Sequence, residues 1–315
     1  MSAEISQPAK PELPPTLLGK IMSSTPVIMT VIATMLAGLA SSEMTKAQYD
    51  RSLAAQQQSK AGDQWSFFQA KRLRSALQRN TLDLLQAGNE VHALDIGALQ
   101  QALTAIPAGA EKINAFLATA EGQAALSLLQ TGTLPANVSN GAPPAEIKAA
   151  FDAIEVLKPE AEVAALLAKV SDAMLTESLV AAKKRSDDFD AATKPVNQVI
   201  DAIDRALALP GSSVALRRDF VAARLNFAAS RYDTEARLNQ SIANLYELEV
   251  RKNNLSAERH HGRSQRFFYG MLGAQFAVIV ATFAIAARKR NLLWTLAAVA
   301  GTTALMFAAY VYLYV

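Results

Sequence analysis

The sequence predicts an all-α membrane protein. Three transmembrane helices carry a large helical soluble segment, a two-helix antiparallel stalk and a helical head, between the first and second span. Three observations predict it. Three long windows, Ile21–Ser42, Phe267–Ala287 and Asn291–Val315, contain no Asp, Glu, Lys or Arg. Nothing between 43 and 266 alternates with the period of two that a half-buried strand needs, whereas apolar residues recur at helical spacing. The formal net charge of +3, from 31 Lys+Arg against 28 Asp+Glu, is confined to one place. Lys10 and Lys20 balance Glu4 and Glu12, and 43–266 is neutral, so the whole excess equals Arg288-Lys289-Arg290 between the last two windows.

Residues 1–20 read as a flexible tail with several prolines. The first span, 21–42, has its apolar heart between Pro26 and Ala40, and Thr25-Pro26 has the form of an N-cap and first helical residue. Helical sequence continues straight out of it, which marks an uncleaved anchor rather than a signal peptide. Crossing a hydrocarbon core takes about 20 apolar residues at about 1.5 Å each, and the spans 267–287 and 291–315 meet that requirement. Trp294 near the start of the third span and Tyr310, Tyr312 and Tyr314 near its end sit where interfacial aromatics belong. Small residues four apart, Ala33/Ala37, Gly270/Ala274 and Ala297/Gly301, predict close packing among the spans.

The segment 43–86 has no proline and a single glycine, and 211–266 has no proline and only Gly211 and Gly262. They read as two stalk helices of roughly 60 and 80 Å. Ala47, Ala54, Ala61 and Phe68 fall seven apart, and Leu238, Ile242 and Leu245 follow coiled-coil-like spacing, so the two pair antiparallel. In the head, 87–210, Ile147, Phe151 and Ile154 mark one helix. Val163, Leu167, Val170 and Met174 mark a second, and Val196, Val199, Ile200, Ile203 and Leu207 a third. Pro159 and Pro195 read as helix openers, Pro210-Gly211 as a stop, and Thr131–Pro144 as a loop.

Several functions are excluded on chemistry. A chain with a pI near 9.0 could meet nucleic acid, but the charge excess forms a short turn rather than a basic face. Cysteine is absent, which removes disulfides, thiolate metal ligation and thiol nucleophiles. Gly19-Lys20 lacks the rest of a phosphate-cradling loop, and no G-x-S-x-G or H-E-x-x-H occurs. Asp187, Asp188 and Asp190, beside Lys183, Lys184 and Arg185, read as a solvated patch at a helix end. No cofactor, metal site or catalytic residue is expected, and the protein is read as non-enzymatic.

The residues left for function are interaction residues. Lys60–Lys71 packs Asp63, Gln64, Trp65, Phe67, Phe68 and Gln69 into one stretch, with Ala61, Trp65 and Phe68 on one face. That face either docks a partner or packs against the returning helix around Leu238–Val250. His260 and His261, beside Arg259 and Arg263, read as headgroup contacts, because adjacent helical residues diverge by about 100° and share no ion. Arg288, Lys289, Arg290 and Trp294 complete the interfacial set. Gln275 lies alone inside the second span, where one amide suits interhelical hydrogen bonding.

The stretch K-A-x-D-Q-W-x-F/Y-F/Y-Q-A-K, some twenty residues after a first span, resembles an uncharacterised bacterial membrane-protein family, the domain of unknown function four-three-three-seven. His260-His261, Gln275, Arg288-Lys289-Arg290 and Trp294 look similar to the same family. The resemblance covers roughly 27–85 and 255–315 and leaves the block 87–210 apart. It implies topology and no reaction.

The positive-inside rule puts the short basic turn in the cytoplasm and the large segment in the periplasm of a bacterial inner membrane. The function expected is an oligomeric membrane scaffold or tether; the alternative is an accessory subunit of a transport or energy-transducing complex. The expected partners are the lipid bilayer, further copies of the chain and a membrane protein, not nucleic acid.

Overall fold

The computed structural model describes residues 17–104, 110–135, 142–208, 212–286 and 290–314. Among them it is all helix: α1 (Leu17–Gly88), α2 (Ile96–Thr104), α3 (Ala110–Leu117), α4 (Ala120–Thr131), α5 (Ala145–Glu155), α6 (Glu160–Leu167), α7 (Asp172–Leu207), α8 (Val214–Ala286) and α9 (Arg290–Tyr314). The chain divides into two compact units. One holds the described residues up to Ala54 together with those from Asn253 on, and the other is Ala55–Lys252.

In the first unit, α1, α8 and α9 each contain a stretch long and apolar enough to cross a membrane. They meet through small side chains, as the four-residue spacing predicts. Ala33, Ala274 and Ala304 are buried together, and Ala281 and Ala297 pack with Val280, Leu293 and Trp294. Gly301 lies against Met29, whose terminal methyl would stand 2.7 Å from a Cβ at that position and would have to turn aside for it. Helix α1 starts at Leu17, so Pro26 lies inside it rather than at its first position. A proline there deletes one backbone donor and leaves the carbonyl four residues earlier without its helical partner. Thr30 donates to the Pro26 carbonyl (2.8 Å) and Thr34 to that of Thr30 (2.9 Å) in the same turns.

In the second unit, α1 and α8 pair antiparallel. Ala61 is fully buried on α1, and Ser75 seven-residue steps further on is 3% exposed. The facing stripe of α8 is Ala229, Ala236 and Ala243, again seven apart and buried. Ile242 and Leu245 are buried as well, but the seam against α1 is alanine. The Ser75 hydroxyl donates to the Ala229 carbonyl (2.9 Å) across it.

Helices α2, α3, α4 and α7 close a hydrophobic core with α8. Leu94, Leu99, Leu126, Leu129, Val199, Ile203, Phe220 and Phe227 form its centre, each burial contributing about 1.5–3 kcal/mol. Thr119 caps α4 by accepting from the Gly122 N–H, and α4 ends at Thr131 on Gly132, whose φ of 66° is the left-handed turn a glycine adopts freely. The loop expected from Thr131 therefore starts one residue later. Helix α5 buries Ile147, Ala150 and Ala153, while Phe151 and Ile154 of the expected stripe are half-buried. It ends with Leu157 at φ 54°, 88% exposed, in a position that suits glycine.

Two helix boundaries differ from expectation. The stripe Val163–Met174 is split, because Ser171 accepts a hydrogen bond from the Met174 N–H and starts α7 afresh. Pro159 does precede α6 directly, as an opener should. Pro195 does not open a helix; it lies inside α7. The buried stripe Phe189, Thr193, Val196, Val199, Ile203 passes straight across it, and that packing outweighs a cost of about 3 kcal/mol for an interior proline. Asp187, Asp188 and Asp190 consequently lie in mid-helix. Pro210-Gly211, Arg288 and Lys289 fall outside the described residues.

Candidate functional site

The densest polar chemistry lies where the Lys60–Lys71 stretch meets α8. Trp65 is half-buried and donates its indole N–H to Glu247 Oε1 (2.7 Å). Phe68 stands edge-on to it, with ring centroids 5.3 Å apart. Gln64 is half-buried, with Oε1 enclosed and unpaired. Asp63, Gln69 and Phe67 point away and are exposed. The structure thus bonds Trp65 to α8, sets Phe68 against Trp65, half-buries Gln64 and leaves Asp63 and Gln69 exposed.

One turn further along α1 the contacts become ionic. Lys71 pairs with Glu235, which also meets Arg231 Nε at 3.2 Å. Arg72 pairs with Asp233, which is shared with Arg237. Arg231 reaches on to the Asn197 side-chain oxygen and so ties in α7. The Tyr232 ring sits among three cations, with Arg231 at 4.6 Å, Lys71 at 5.4 Å and Arg74 at 5.8 Å from its centroid. Burial pushes the Asp233 carboxyl up, but the Arg72 hydrogen bond and the Arg237 charge outweigh it and hold the group below the usual carboxylate range. Asp190 behaves oppositely: burial and the Glu235 charge push it up. Half-buried Glu249 is also pushed up by burial, against the pull of Lys60 and Lys183. Those two lysines lie 5.8 and 5.3 Å from the Tyr246 ring centroid.

Glu235, Asp233, Glu247, Tyr232 and Asn197 were not singled out from sequence. The i,i+4 spacings Arg231/Glu235 and Asp233/Arg237 are visible in it. Their cross-helix partners more than 150 residues away follow only from the register of α1 on α8.

A cleft of about 330 Å³ adjoins the far end of α1, lined by Leu82, His92, Gln130, Asp219 and Asn226 among others. Its polar walls are already employed: Asp219 accepts from the His92 backbone N–H (3.1 Å) and Gln130 donates to the Leu94 carbonyl (3.0 Å). They fix the extended segment before α2.

In the membrane unit, His260 faces inward. Its Nδ1 lies 2.6 Å from Glu43 Oε2, while Glu43 Oε1 accepts from Lys46 (2.7 Å). Ser264, buried one turn on, donates to the Ala40 carbonyl (2.7 Å). His261 turns elsewhere, its Nε2 3.0 Å from the Gln265 amide nitrogen. The two histidines diverge as helical geometry requires. His260 is a tie between α1 and α8 rather than a free headgroup contact. Arg290 is the first residue of α9, and half-buried Trp294 packs in the Val280–Ala281–Ala297 cluster. Gln275 is exposed. No group of three or more His, Asp or Glu side chains among the described residues is arranged to hold a metal ion.

No curated protein and no solved structure matches the chain. A family match covers α1, α2, α3 and the first half of α4, and so includes Glu43 and all of Lys60–Lys71. It extends past the expected limit at 85 into the block thought to stand apart, and leaves out His260, Gln275 and Trp294. Residues 20–125 match the family model described as Domain of unknown function (DUF4337), the family that the Lys60–Lys71 stretch resembles.

Proposed function

We propose that this membrane protein is a non-enzymatic scaffold or tether, oligomeric, set in a bacterial inner membrane with residues 43–266 on the periplasmic side. The observation that carries the reading is how the polar side chains of the Lys60–Ser75 face are used. Trp65, Lys71, Arg72 and Ser75 each bond a residue of α8. Groups consumed in holding two long helices in register serve mechanical coupling, not acid–base or nucleophilic chemistry, which needs a group facing substrate. Asp63 and Phe67, four residues apart and exposed on the other side of the same helix, are the surface offered to a partner, while exposed Gln69 lies on a different side of the helix from Phe67.

Chemical cross-linking in native membranes, followed by mass measurement of the detergent-extracted protein, tests this. Homo-oligomers or a cross-linked partner on Asp63 or Phe67 are expected. A strictly monomeric protein with no cross-linked partner refutes the reading. A reporter fused after Val315 tests the orientation, and reporter activity in the cytoplasm would reverse it.

In the second reading, an accessory subunit of a transport or energy-transducing complex, Gln275, exposed on a span, faces a helix of that partner. Thr302 and Thr303, also exposed, bond carbonyls of their own helix at 2.9 and 2.8 Å and ask for no partner. Co-purification of a stable integral-membrane protein of different sequence would select this alternative.

A further inference from the structure

The span portion of α8 has two unlike faces. Toward α1 and α9 it turns Gly270, Ala274, Ala277, Ala281 and Ala284, all buried. On the opposite side Phe268 is 47% exposed, Leu272 43% and Ile279 54%, with Gln275 and Thr282 exposed among them. Phe268, Leu272, Gln275, Ile279 and Thr282 are spaced four, three, four and three apart. That is the 3.5-residue repeat by which one helix keeps a continuous seam against another. Thr282 satisfies its hydroxyl on the Val278 carbonyl at 2.8 Å. Gln275, near the middle of the span, makes no hydrogen bond to any described residue.

An amide in hydrocarbon has no water to pair with, so it pairs with protein. We propose that α8 packs in parallel against α8 of a second copy of this chain along this stripe, with the two Gln275 amides hydrogen-bonded to each other across the two-fold axis. Copies inserted by the same route share one orientation, which places the two Gln275 side chains at the same depth. An amide carries both donors and an acceptor, so it complements itself. A single polar position within an apolar repeat fixes register and partner number, as a buried amide does in soluble coiled coils. The inference rests on the oligomeric reading above and names the contact that makes the oligomer.

The chain has no cysteine, so introduced ones report without background. Leu272→Cys and Ile279→Cys, each in the full-length chain with Gln275 intact, are oxidised in native membranes with copper phenanthroline. Both are expected to give disulfide dimers at twice the chain mass, while Ala277→Cys and Ala281→Cys on the buried face do not. Adding Gln275→Leu is expected to weaken self-association of the purified protein about threefold, and Gln275→Asn to preserve it. Cross-linking with no preference for the exposed stripe, or bands at other masses, overturns the α8 contact. An undiminished dimer with Gln275→Leu overturns the amide pairing. If dimers persist by another face, the scaffold reading survives this failure. A wild-type chain that is monomeric and forms no cross-links ends both.

Discussion

The membrane unit and the Ala55–Lys252 unit use the same device, small residues at helix–helix seams, but secure it differently. In the Ala55–Lys252 unit the alanine seam is flanked by Trp65–Glu247, Lys71–Glu235, Arg72–Asp233 and Ser75–Ala229. Among the spans, Ala33, Ala274, Ala297, Ala304 and Gly301 meet with no ionic flank among the described residues. Polar ties join α1 and α8 in that unit at Glu43–His260 and Ser264–Ala40. Water explains the difference. An alanine seam in water buries little apolar area per residue, so flanking pairs supply part of the stability and most of the specificity. In lipid no hydrophobic force separates right from wrong partners, and close packing of small residues does the selecting.

Breaking either seam by volume should have the largest effect. Ala243→Leu, at a fully buried alanine, is expected to cost about 3 kcal/mol in thermal or denaturant unfolding. Gly301→Leu, facing the Met29 methyl, is expected to destabilise the span packing and to increase protease sensitivity in detergent. Equal loss from a swap at exposed Leu77 would show that the seam is nothing special.

Breaking the flank should matter less and only in one unit. Glu235→Gln leaves Lys71 and Arg231 without their carboxylate, and about 2 kcal/mol is the expected loss, reduced at high salt. Thr302→Val in the third span, where the hydroxyl bonds only its own helix, should be nearly neutral. A larger loss at Thr302 than at Glu235 would invert the comparison.

Acid should sharpen it further. Asp190 and Glu249 sit above their usual values, so the native state binds their protons first, and stability gains as pH falls through the window just above the ordinary carboxylate range. Asp233 sits below its usual value. Its contribution is complete above the unfolded value near 4 and fades as pH falls below that. Melting temperatures in mildly acidic buffer should therefore exceed those at neutrality slightly, then drop in stronger acid. Asp190→Asn should flatten the rise, and an unchanged rise would refute that assignment.

Much of the fold is legible in the residues. The charge-free windows, the repeat Ala47, Ala54, Ala61 and the stripe of α5 need only local periodicity. Pro26 and Pro195 misled because a proline's local cost is read directly while the packing that outweighs it is not. Ser171 shows the opposite, since a local cap interrupts a stripe that reads as continuous. The candidate site was legible by half. Trp65 and Phe68 announce themselves as aromatics, but Glu247, Glu235 and Asp233 become partners only once the register of α8 on α1 is known. The outward face of Gln275 likewise follows from which sides α1 and α9 cover.

The seven-residue step has a consequence for length. The buried seven-residue row of α8 is alanine throughout, Ala229, Ala236 and Ala243, so that row by itself fixes no offset on α1. Ser75 and Trp65 are its graduations, since only one offset gives them the Ala229 carbonyl and the Glu247 carboxylate. A matched insertion of one heptad in α1 and α8 would keep the ties between those two helices but pull α8 off α7, which holds it at Arg231 through Asn197 and at Lys252 through Asp172. A change of length therefore has to be made by whole heptads in α1, α7 and α8 together, and an insertion in one helix alone is the change such a ruler forbids.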